Sequence, residues 1–127
     1  MKHTQIPALE KVTEATFQKK FQELRPILDA EARVRQQLAK LDLQLSQVRT
    51  ESDKTEGYQV SGTDILWNGW ESATRRQLNM QLAQIRAQKL AAIEALRFAF
   101  GRKQAVEALG EKFHQKHCLK AARKLVE

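Results

Sequence analysis

Several things are scarce in this chain, and each scarcity excludes something. A single cysteine, Cys118, stands among 127 residues, so no internal disulfide can form. No stretch approaches the ~20 consecutive apolar residues that a bilayer-spanning helix needs. The amino-terminal MKHTQIPALEK lacks the apolar core of a cleaved signal, and together these features point to the cytoplasm. Only five glycines and two prolines are present, which leaves few places for turns.

What remains is dominated by alanine, leucine, glutamine, lysine, arginine and glutamate, a mixture that favours helix at almost every position. A 3-4 alternation runs through Leu24, Ile27, Glu31, Val34, Leu38, Leu41, Leu45 and Val48, the pattern of a coiled-coil seam. A second follows through Leu78, Leu82, Ile85, Lys89, Ala92, Leu96 and Ala99. Two amphipathic stretches with one break between them predict an all-α fold, a long antiparallel two-helix coiled-coil hairpin with unequal arms. A hairpin buries a seam and not a pocket, which favours binding or transmission over catalysis.

The expected boundaries form one domain over residues 1–127. Helix one is expected over about 8–50, roughly 60 Å long. Its early apolar positions are Leu9, Val12, Phe17, Phe21 and Leu24. Pro26 removes a backbone donor. Either the helix kinks there or a short helix ends and another begins, and the in-phase Leu24 and Ile27 favour the kink. The segment TESDKTEGYQVSGTD has no helical stripe and reads as an acidic loop over about 51–63, with Tyr58 and Val60 as a short extended piece. Helix two is expected over about 64–124, with Ser61 or Thr63 as N-cap, Asp64 in its first turn, and Gly101 and Gly110 as candidate bends. Its far end either pairs with residues 8–24 or projects alone.

The net charge of +7 is unevenly spread: residues 1–50 carry +3, residues 51–74 carry −4 and residues 75–127 carry +8. Such a field steers association with acidic surfaces. Arg75, Arg76, Arg86, Arg97 and Arg102, with Lys89 and Lys103, place it along helix two. The plain reading is a solvated face with Glu94 and Glu107 as counterions. The functional one is docking on an acidic partner. Nucleic acid is disfavoured, because aromatic residues are not interleaved with the basic ones. Trp67 and Trp70 share a helix face. They read either as a cap on the hairpin, packing on Leu45 and Val48, or as an aromatic patch for a partner. Glu31 and Lys89, polar at seam positions, are placed to pair across the hairpin and set its register. Phe98, Phe100, Leu90 and Ile93 widen the stripe on helix two, which suggests a homodimer.

Chemistry is hard to find. His114, His117 and Cys118 form H-x-x-H-C, but a structural zinc site needs four ligands and His3 is the only other candidate. FGRK at 100–103 lacks phosphate-loop spacing. No catalytic residue, metal or cofactor is expected.

The segment from Gly62 to Leu109 carries a resemblance, through Leu66, Trp67, Trp70, Arg75, Arg76, Leu78, Asn79, Leu82, Ala99, Phe100, Gly101 and Arg102. With the small, basic, Gln/Ala/Leu-rich hairpin as a whole, it resembles the FliJ-like proteins of the flagellar type III export apparatus and their virulence-secretion counterparts. The resemblance implies a non-enzymatic stalk that couples an export ATPase to the export gate or to substrate chaperones, and it carries over no family binding site. The alternatives are a generic coiled-coil adaptor that oligomerises and a basic helical arm for nucleic acid.

Overall fold

The computed structural model describes residues 3–54 and 63–126. After a 3-10 turn at His3–Gln5, helix α1 runs over Ile6–Lys54 and helix α2 over Thr63–Val126. Both are longer than the sequence suggests. Pro7 lies in the first turn of α1, where its missing N–H costs nothing. Residues 51–54, expected in the loop, continue the helix because no Gly or Pro precedes Gly57 to stop it. Thr50, inside the helix, donates its hydroxyl to the Ser46 carbonyl at 2.9 Å. Thr63, a candidate N-cap, is already the first helical residue. Ser61, Tyr58 and Val60 lie outside the described residues. α1 passes through Pro26 without a break, and α2 passes likewise through Gly101 and Gly110. Arg123 and Lys124 close α2, where positive charge suits the helix dipole.

The two helices pack against each other as an all-α hairpin, in two compact units. In the unit Pro26–Lys89, α1 contributes the buried Val34 and Leu41 and α2 the buried Leu82. Ile27, Leu38, Leu45, Val48, Leu78 and Ile85 are half-buried around them. The partners run in opposite senses: Glu31 meets Lys89, and Asp42 meets Arg75. The pairing of Glu31 with Lys89 is the one the heptad positions suggested.

The unit Met1–Arg25 with Leu90–Glu127 is also antiparallel. Ile6 packs on Gly110, Glu14 pairs with Lys103, and the rings of Phe17 and Phe100 lie 5.7 Å apart. Its buried apolar residues among those described are Ile6 and Ala99. Here one expectation changes. Val12 and Phe21 are 61% and 53% exposed, while Thr13 is buried and Lys20 half-buried. Thr13 can enter the seam because its hydroxyl donates to the Leu9 and Glu10 carbonyls at 2.9 and 3.1 Å. Phe21 leans on Phe17, with centroids 6.4 Å apart.

Candidate protein-binding surface

The candidate residues fall in different units. Trp67, Trp70, Arg75, Arg76 and Arg86 belong to Pro26–Lys89, and Arg97 and Arg102 to the other unit. Trp67 and Trp70 share a face as their spacing requires, with ring centroids 6.4 Å apart and planes tilted by 50°. Trp67 is half-buried, whereas Trp70 is 52% exposed. Trp70 lines an open groove of about 390 Å³, together with Gln37, Lys40, Leu41 and Gln44 of α1. Gln77, Gln81, Thr74 and Leu78 complete it from α2. Leu41 and Leu78 give it apolar surface, and the four glutamines bring amides, which can both donate and accept. Among the described residues, none that lines the groove is a carboxylate, thiol or imidazole. The glutamines escaped the sequence reading. Their signal is position, since they flank the seam on both helices.

The arginines are not equivalent. Arg75 is used inside the unit: its Nε donates to Glu71 Oε1 at 2.6 Å and its Nη2 lies 2.7 Å from Asp42 Oδ1. Glu71 first, and then Asp42, hold its guanidinium above the usual arginine range. Arg86 approaches Glu31 at 3.9 Å. Arg76 is exposed and lines a second open recess with Asn79 and Met80. Arg97 is exposed, and Arg102 lies 5.8 Å over the Phe98 ring. Of the expected counterions, Glu107 meets Lys103 at 4.0 Å.

Two further charges organise the seams. Glu31 is only 6% exposed, yet its carboxyl stays below the ordinary carboxylate range. The hydrogen bond from Lys89 is the main cause, aided by Arg35 and Arg86 and opposed by burial. In the other unit the 2.6 Å Glu14–Lys103 pair lowers the glutamate and raises the lysine. Lys103 also sits 5.0 Å over the Phe17 ring.

His114 and Cys118 share a face, with Nε2 and Sγ 3.7 Å apart, but no cluster of three metal-ligating groups forms among the described residues. No helix among them is long and apolar enough to cross a membrane. Comparison with protein-family models, curated proteins and solved structures returns no match to this chain.

Proposed function

We propose that this chain is a non-enzymatic coiled-coil accessory of a flagellar-type protein export apparatus, a stalk that links an export ATPase to the gate or to substrate chaperones. The observation that carries the binding part of this reading is Trp70, half exposed where it lines an open groove together with four glutamines. A large aromatic left wet in this way contributes little to the fold and much to an interface. The acid-poor α2 supports an acidic protein partner. The export assignment itself rests on the resemblance of Gly62–Leu109 and on the hairpin.

The test is capture of a flagellar export ATPase, or of the cytoplasmic domain of the export gate, by the intact chain. Trp70→Ala is expected to keep the melting temperature within a few degrees and to lose capture. A deletion strain with normal motility, or capture no better than with an unrelated hairpin, sinks the export assignment. A large fall in melting temperature for Trp70→Ala instead assigns the residue to the fold.

A further inference from the structure

Past Phe113 the apolar positions of α2 change sides. Up to that point the residues turned toward α1 include Leu96, Ala99, Val106 and Phe113, all buried or half-buried. The same heptad positions continue as His117, Lys120 and Lys124, and every residue from 114 to 126 is exposed. Apolar residues reappear on the opposite side, at Leu119, Ala122 and Val126. Followed backward, that 4-3 series passes through Gln115 and Lys112 to Ala108, Ala105, Gly101 and Phe98, each exposed. These positions lie on the side of α2 turned away from the seam, and a hairpin that needed only its own seam would fill them with charge.

Two local features suit a docked helix. Gly101 lies inside the helix, where it costs about 1 kcal/mol relative to alanine. A Cβ added to it would meet nothing within 4 Å, so packing within the chain does not require the glycine. With Ala105 and Ala108 it leaves a strip on which another backbone can come close. Farther on, Leu119, Ala122, Arg123 and Val126 enclose an open recess of about 320 Å³. Their i, i+3, i+4, i+7 spacing is that of the four residues which receive one knob of a facing coiled-coil helix.

The charge at the rims selects the partner. Arg97, Arg102, Lys116 and Arg123 flank this face, against Glu111 alone. A second copy would bring like charges together in either orientation. A lipid surface calls for a broad, continuous apolar stripe, whereas Gly101, Ala105 and Ala108 give this face little apolar bulk and Lys112 and Gln115 cross it. We propose that the outer face of α2 from Phe98 to Val126 is a second coiled-coil seam, which takes an acidic amphipathic helix of another protein. That helix would carry small and apolar residues on its seam and Asp or Glu on its flanks. The face is separate from the Trp70 groove, so the inference stands or falls apart from the export assignment.

The probe is a labelled synthetic helix of about four heptads, with Leu and Ala on its seam and Glu on its flanks. Its twin carries Lys in place of Glu. Fluorescence anisotropy with the intact chain is expected to show binding of the acidic peptide alone. The double variant A105Q/L119Q, at exposed sites that leave melting unchanged, is expected to weaken binding about tenfold or more. K120Q/K124Q removes two charges away from this face and is expected to change affinity less than about twofold. The inference is overturned by no preference for the acidic peptide, or by equal losses in the two double variants, which would mean charge alone. It is also overturned by a dimer in sedimentation that L119Q dissolves, or by tighter binding to anionic vesicles or duplex DNA that A105Q/L119Q abolishes.

Discussion

Lys89 Nζ on α2 lies 3.1 Å from Glu31 Oε1 on α1, each at a seam position where an apolar residue would ordinarily sit. Arg35 and Arg86 stand at 3.7 and 3.9 Å from the same carboxylate. One buried anion therefore offsets three cations, and the two members of the pair are not interchangeable. Glu31→Ala leaves Lys89, Arg35 and Arg86 facing one another, so it is expected to lower the melting temperature clearly. Lys89→Ala leaves Glu31 with both arginines and is expected to cost less. The double variant E31L/K89L removes both charges from the seam and is expected to melt at or above the parent, because apolar packing commonly matches an ion pair at such a position. Thermal melts of the three variants check the order.

The same carboxylate makes stability depend on pH. Its value in the folded chain lies below the ordinary 4.5, so its contribution is fully present above 4.5 and is lost as pH falls through the lowered value. Glu14 behaves likewise through Lys103. The gap in melting temperature between the parent and Glu31→Gln should be widest near ~pH 7 and close toward ~pH 3. A gap that widens in acid would contradict the assignment.

Leu41 and Leu43 give a direct comparison on one turn of α1, at 3% and 65% exposure. Leu41→Ala removes a seam contact from between the helices and is expected to cost about 2–3 kcal/mol, the low part of the range for buried leucines, since half-buried neighbours surround it. Leu43→Ala should stay within about 0.5 kcal/mol of the parent. Urea unfolding measures both.

Much of this architecture was legible in the sequence. The alternation from Leu24 to Val48 reads directly as a seam, and the two polar interruptions at Glu31 and Lys89 stand out against it. Their pairing follows from the turn between the helices. Upstream the pattern is ambiguous. Leu9 can be followed in phase by Val12 or by Thr13, and apolar content favours Val12. A threonine that satisfies its hydroxyl on its own backbone packs as well as valine, and nothing in its neighbours announces this. The carboxyl end of α1 was set short, because Glu, Ser, Asp and Lys at 51–54 look like loop residues, yet they carry no breaker. The Trp70 groove was half legible. The tryptophans are conspicuous, whereas the glutamines that line the groove resemble any solvated flank. The outer face of α2 was missed in this form, because alanine and glycine do not register as an apolar stripe until burial shows which side of the helix is already occupied.

Gly101 and Gly110 separate propensity from packing. A Cβ at Gly101 meets open space, so Gly101→Ala should stabilise the isolated chain by about 0.5–1 kcal/mol. A Cβ at Gly110 would lie 2.5 Å from Glu10 Oε1 and 3.1 Å from Ile6 Cγ2. The glutamate can swing aside, but Ile6 is buried and must give way. Gly110→Ala is therefore expected to gain clearly less than Gly101→Ala in urea unfolding. Equal gains would mean that Ile6 does not press on Gly110.

Ending the chain after Phe113 tests what residues 114–126 do for the fold. None of them is buried, and the sole cysteine among them is exposed. A helix this short is marginal in water by itself. Truncation should therefore remove helical signal in circular dichroism while leaving the stability of the remaining hairpin within about 0.5 kcal/mol. It should also remove part of the affinity for an acidic helix, because Leu119, Ala122 and Val126 go with it. A large loss of stability would mean that the arm belongs to the hairpin. Unchanged stability with weakened acidic-helix binding is the result expected of an arm whose apolar side is reserved for another molecule.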